Sequence, residues 1–186
     1  PAFVELCRKY LNAKPLVVEA GVKTGMRIRM DNPKEVGADR VVDAVAAQHL
    51  YGKPLIIIDL GTALTFGVIS QEGDYLGGAI APGIVIATEA LYSRTAALPR
   101  IRLDRPEQVI GKNTISAMQS GIIFGYVGLI EGMIRRIEQE LGRKAKVIAT
   151  GGQAHLLAQE IPAIEVVDPD LTLVALRLIY EMNKEQ

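Results

Sequence analysis

Chemistry concentrates in a few stretches of this 186-residue sequence where an acid, a hydroxyl or a base sits beside glycine. Asp59-Leu60-Gly61-Thr62 follows the apolar run Leu55-Ile56-Ile57-Ile58. A carboxylate at a strand end, a glycine that lets backbone N–H groups approach an anion, and a hydroxyl are the parts of a phosphate and cation site, and equally of a plain turn. Gly37-Ala38-Asp39-Arg40 opens a helical pattern with an acid and a base. There Asp39 can satisfy the free N–H groups of its own first turn, or orient a substrate hydroxyl while Arg40 binds an anionic group. Gly77-Gly78-Ala79-Ile80-Ala81-Pro82-Gly83 and Thr150-Gly151-Gly152 read as strand-to-helix junctions, able to line a nucleotide or to turn tightly. Gly111-Lys112-Asn113-Thr114 precedes a long helical pattern that Thr114 could cap. His49 and His155 lack a partner at nucleophile spacing, so a hydrolase triad has no support.

Composition narrows the partners. Lys and Arg number 21 and Asp and Glu 21, a balance that argues against a sequence-independent binder of nucleic acid or of a membrane surface. At 49% hydrophobic, a chain of this length buries roughly 70% of its unfolded surface, which excludes general disorder. The single cysteine, Cys7, excludes a disulfide framework and a Cys-x2-Cys zinc site, and is what a reducing cytoplasm permits; a cytoplasmic protein is expected. The uncharged stretch 114–130 carries Ser116, Gln119, Ser120 and three glycines, too short and polar to read as a membrane span.

The elements that must position these residues follow from periodicity. Phe3, Leu6, Cys7, Tyr10 and Leu11 predict a short helix over 2–11 with Cys7 on its buried face. Leu16-Val17-Val18 reads as a strand and 21–35 as a loop-rich stretch. A helix over 37–51 has Ala38, Val41, Val42, Val45, Ala46 and Leu50 as its inner stripe, and Gly52 stops it. Strands over 55–58, 64–69 and 75–81 form an antiparallel meander, and Pro82-Gly83 opens a helix to about residue 96. Residues 100–112 are irregular. A long helix over 116–141 places Ala117, Gly121, Gly125, Gly128 and Gly132 along one face, where another backbone could approach, within the chain or across a dimer interface. Strand 146–149, helix 153–160, strand 164–167 and helix 171–183 complete the pattern. The order β-β-β-α-β-α is that of the ribonuclease H-like (actin-like ATPase) α/β fold.

Taken together and in order, the sequences Glu35 to Arg40, Asp59 to Thr62, Gly77 to Gly83, Gly111 to Thr114 and Thr150 to Gly152 strongly resemble type III pantothenate kinase. The resemblance covers the chain from Leu16 onward. It implies an ATP-dependent phosphorylation of the primary hydroxyl of pantothenate, the first step of coenzyme A synthesis. Asp39 then resembles the proton acceptor, with Gly37, Ala38 and Arg40 completing a pantothenate contact and Thr114 adding one from a helix start. Asp59 resembles the ligand of a monovalent cation, potassium or ammonium. Gly61, Thr62, Gly151 and Gly152 look like ATP contacts, and magnesium is implied as well. The resemblance implies a homodimer with the substrate site near the interface.

Two departures stand out. Met30 occupies a pocket position that is often aromatic in the family, and the family's opening Asp-x-Gly-Asn-Thr phosphate loop has no counterpart here. The expectation is therefore a family protein without about its first third, inactive as it stands. Residues 1–53 are then the remainder of an N-terminal ribonuclease H-like domain and 54–186 the C-terminal one. The alternative from a different class is a non-catalytic family member acting as an accessory or regulatory protein. A sugar kinase with structural zinc is disfavoured by the single cysteine.

Overall fold

A computed structural model describes residues 2–19 and 21–184. In chain order the elements are α1 (Ala2–Leu11), α2 (Ala38–Tyr51), β1 (Leu55–Leu60), β2 (Ala63–Ile69), β3 (Tyr75–Pro82), α3 (Ile84–Ser93), α4 (Thr114–Leu141), β4 (Lys146–Thr150), α5 (Ala154–Ala158), β5 (Val166–Val167) and α6 (Leu171–Asn183). The strands form one sheet in the order β3-β2-β1-β4-β5. β1 runs antiparallel to β2 and parallel to β4, and β2 antiparallel to β3. With only β2 reversed, this is the ribonuclease H-like arrangement of the actin-like ATPases, as the element order predicts.

The unbroken run Leu55–Ile58 has a physical reason: β1 is central and covered on both faces, so neither side of its period-2 alternation meets water. Ile56, Ile58, Leu60, Leu64, Phe66 and Val147 pack under α4 and α5, against Ile123, Ile130 and Leu157. Leu55, Ile57, Ile69, Tyr75 and Ile148 face the other way, against Val42, Val45, Leu171 and Ile179 of α2 and α6. Removing a side chain such as Ile56 would cost about 2–5 kcal/mol, through lost burial and the cavity left behind. The same alternation puts Asp59, two residues on from Ile57, on the α2 side.

Helix α4 starts on a capping box: the Asn113 side chain accepts from the Ser116 N–H at 2.9 Å, and Ser116 Oγ accepts from the Asn113 N–H at 3.2 Å. The cap is therefore Asn113, not Thr114. Helix α4 is long and apolar enough to cross a membrane by length and composition, with a mean hydropathy of 1.3 over its best window. The uncharged run alone understates this, but here Met118, Ile123, Ile130 and Ile134 build the core. Nothing among the described residues lies within 4 Å of where a side chain on Gly121, Gly125 or Gly128 would begin.

Other expectations are corrected. Leu16-Val17-Val18 is not a strand: Leu16 and Val17 are exposed, and no strand pairs with them among the described residues. Cys7 is buried, but Phe3, Leu6, Tyr10 and Leu11 of the same stripe are exposed. Leu50 lies outside the α2 stripe, half exposed. The loop-rich stretch from Gly21 to Glu35 pairs its backbone with the sheet through a parallel bridge between Ile28 and Tyr75, and Val22, Met26, Ile28 and Met30 pack against the α2-side core. There the Arg29 N–H donates to Tyr75 O and the Tyr75 N–H to Arg27 O, both at 2.8 Å. The Asp74 carboxylate fixes the crossing from the side, 3.0 Å from Arg27 Nε and 2.8 Å from Arg29 Nε.

Candidate active site

The parallel strands β1 and β4 end together, with Asp59 in register with Thr150, so the turns that follow them share one end of the sheet. Such carboxyl ends are where α/β sheets take their ligands. Gly151 has φ +93°, and a side chain there would run into Asp59 Oδ1 and the Leu60 backbone. Gly61 flanks the same carboxylate, its would-be Cβ 3.3 Å from Asp59 Oδ1. Glycine is required because the chain wraps closely round one carboxyl group. The Gln153 N–H donates to Leu60 O and the Gly83 N–H to Thr62 O, both at 3.1 Å, so the two turns and the β3–α3 junction hold one another. Gly152 and Thr62 are exposed at the rim. Burial pushes the Asp59 carboxyl above its ordinary range, and the charge of Asp39 adds to the rise.

That influence of Asp39 means that the start of α2 faces the same end. Gly37 is the N-cap, and a side chain on it would occupy the space of Asp39 Oδ1, so the bare glycine lets the carboxylate fold back over the helix start. Asp39 is exposed, and the half-buried Arg40 donates from Nη2 to Glu35 O at 3.4 Å. Met30 reaches this layer through the Ile28–Tyr75 bridge, its Cγ 3.7 Å from where a Cβ on Gly77 would lie. Met30, Gly37, Ala38, Asp39, Arg40, Asp59, Gly61 and Gly151 thus belong to the α2 side and the strand-end rim. Thr114 does not join them within the chain. It lies at the start of α4, on the other face of the sheet, lining an open groove of about 770 Å³ with Leu98, Lys112 and Gly121.

Sequence reasoning missed Asp43. One turn after Asp39, it is 6% exposed and accepts from Thr172 Oγ1 at 2.6 Å. Its pKa is pushed up to about 6, chiefly by burial, with the charges of Asp59, Asp39 and Asp168 adding and the Thr172 hydrogen bond opposing. An acid four residues on from Asp39, inside the apolar stripe Val41, Val42, Val45, was the available signal. No cluster of three His, Cys, Asp or Glu side chains suited to a metal occurs among the described residues. One carboxylate with glycine turns wrapped round it fits a singly charged, oxygen-seeking cation better than a dedicated divalent site.

A family model described as type III pantothenate kinase matches residues 1–136. The type III pantothenate kinase of Geobacillus kaustophilus is 57% identical over 185 residues, which is 100% of this chain and 72% of that protein. A solved structure from Campylobacter jejuni, described as a conserved Baf family transcriptional activator, superposes with a TM-score of 0.58 and 23% identity over 78% of this chain. At that identity the likeness is one of fold, and this chain spans 65% of that one. More than half of the aligned residues are identical over the whole of this chain, and the family model runs through the Asp39, Asp59 and Thr114 motifs alike: the chain belongs to the type III pantothenate kinase family, whose members phosphorylate pantothenate with ATP in the first step of coenzyme A synthesis.

Proposed function

We propose that this chain carries the pantothenate side and one phosphate-facing rim of an ATP-dependent pantothenate kinase. The observation that supports this most is the convergence of Asp39 and Asp59, from different elements, at one end of the sheet. Asp39 accepts the proton of the primary hydroxyl as its oxygen attacks the γ-phosphorus. The bond from that phosphorus to the β–γ bridging oxygen breaks, and ADP leaves. Such transfers depend on positioning and charge stabilisation more than on covalent help from the protein. Gly37 and Ala38 give the substrate room at the helix start, Arg40 binds an anionic group of it, and Met30 supplies an apolar wall.

On the same reading, Gly61, Thr62, Gly151 and Gly152 meet the nucleotide. Asp59 would hold a monovalent cation, potassium or ammonium, which supplies positive charge beside the phosphates. Magnesium would arrive on the nucleotide phosphates themselves, since it keeps much of its own hydration. Thr114, on the far face, contacts pantothenate held by a second copy, and the open glycine face of α4 is the seam of that homodimer. The work is cytoplasmic, and the domain boundary falls between residues 53 and 54, ahead of all five strands. Asp39→Asn in the complete protein tests the central assignment. Pantothenate-dependent ADP release should fall by at least about 100-fold with the melting temperature unchanged. Wild-type turnover would remove Asp39 from the reaction.

A further inference from the structure

Tyr75 is the largest fully buried side chain of the α2-side core, and its hydroxyl has no hydrogen-bond partner in the structure. Buried hydroxyls rarely go unpaired, because the lost hydration is not replaced. The position of the ring explains where this one is aimed. Tyr75 pairs with Ile69, but its ring lies along the sheet over Gly67, with Cε2 3.3 Å and Oη 3.6 Å from where a Gly67 Cβ would be. Gly67 pairs with Ile57, and the next inward-facing pair is Thr65 with Asp59. The absent Gly67 side chain therefore makes a channel through which the phenol reaches from the Leu55 end of β1 toward the acid end. Arg40 and Asp39 are the charged groups that act on the hydroxyl: burial raises the phenol pKa, the Arg40 guanidinium opposes the rise by its charge and as a hydrogen-bond donor, and Asp39 adds to it. On its other side Tyr75 is fixed by both backbone bonds to Arg27 and Arg29. The hydroxyl is thus aimed along the sheet toward the acid end, where α2 begins.

We propose that Tyr75 is a positioning residue for substrate binding: its hydroxyl accepts an N–H of the Arg40 guanidinium and holds the remaining N–H edge toward an anionic oxygen of the substrate. Five donors in a fixed plane make guanidinium recognition sensitive to how the plane is turned, so one anchored N–H selects the orientation of the others. The inference rests on the reading of Arg40 as an anion contact. It also accounts for a buried polar atom at a position where phenylalanine would fill the same space.

The test is Tyr75→Phe in the complete protein, alone and with Arg40→Ala, followed by pantothenate titration calorimetry, steady-state kinetics and thermal melting. Tyr75→Phe should leave the fold intact, since it removes only the hydroxyl oxygen and keeps the ring. It should raise the pantothenate Kd and KM about tenfold with kcat within about twofold. In the Arg40→Ala background, Tyr75→Phe should cause no further loss of affinity. Unchanged affinity in Tyr75→Phe, or an equal loss in both backgrounds, overturns the proposal while leaving Arg40 as a contact. Unchanged affinity in Arg40→Ala alone would instead overturn the reading of Arg40 on which it rests.

Discussion

Thr172 Oγ1 donates to Asp43 Oδ1 at 2.6 Å, tying the first turn of α6 to α2 one turn below Asp39. With the Tyr51 hydroxyl donating to Asp168 Oδ2 at 2.7 Å, it fastens α2 at two points, to the first turn of α6 and to the segment just before it. The first bond has a cost, because it holds an acid in a buried layer.

That cost sets a pH dependence. The Asp43 pKa is about 6 in the fold against an ordinary 3.8, so the folded chain binds its proton more tightly than the unfolded chain does. The stabilising contribution of the protonated acid is full below the unfolded pKa and is lost as pH rises through about 6. Asp43→Asn keeps an acceptor for Thr172 without the charge. It should be more stable than wild type at pH 7, by on the order of 2 kcal/mol, with the two converging near pH 4. Chemical denaturation at both pH values measures the difference. A gap that is the same at both would show that Asp43 ionisation is not its cause.

Gly151→Ala forces a side chain into a left-handed backbone position and against Asp59 and Leu60. Conformational strain alone costs about 1–2 kcal/mol, and the collision adds to it. We expect a lower melting temperature together with weaker ATP binding, measured by fluorescence-monitored titration. Gly152→Ala, at a position with open space and no left-handed φ, should leave the fold intact. Equal stability of the two variants would contradict the close approach of Gly151 to Asp59.

Asn113→Ala removes the side-chain half of the α4 capping box and should cost about 1 kcal/mol in thermal or urea unfolding. Thr114→Ala breaks no capping bond. Its stability should match wild type, and its effect should fall on the pantothenate KM. Destabilisation by Thr114→Ala equal to that of Asn113→Ala would return the capping role to Thr114.

Outside its own turns of helix, Gly125→Ala meets no atom within 4 Å among the described residues, so helix propensity alone favours it by about 0.5–1 kcal/mol. If the glycine face is a dimer seam, the added methyl separates the two backbones. Sedimentation equilibrium should then show weaker self-association in Gly125→Ala despite a better helix. Unaltered association would exclude that face as the seam.

Much of the fold was legible because strand period and glycine punctuation coincide. The run Leu55–Ile58 and the Gly52 stop each mark an element that is present. The misreadings share a cause. Leu16-Val17-Val18 has strand composition but no strand beside it, and the α1 stripe has helical spacing with only Cys7 covered, since burial is a property of neighbours that local pattern does not contain. At the site, Asp39 and Asp59 were visible from their glycines. Asp43 carried only the faint signal of an acid inside an apolar stripe, since its Thr172 partner lies 129 residues away, and Tyr75 was hidden because its reach depends on the missing side chain of Gly67 on another strand.

The crossing of residues 27–29 over Tyr75 bears on how the molecule breathes. Two backbone hydrogen bonds, one carboxylate and the half-buried packing of Met26, Ile28 and Met30 hold the stretch that carries Met30, whereas β1 is hydrogen-bonded along its length on both sides. Amide hydrogens at Arg29 and Tyr75 should exchange through a low-energy local opening, and those of Ile57 and Ile148 only with global unfolding. The wall beside the helix start can therefore swing away and return while the sheet stays closed, giving a substrate an entrance that never requires the core to loosen.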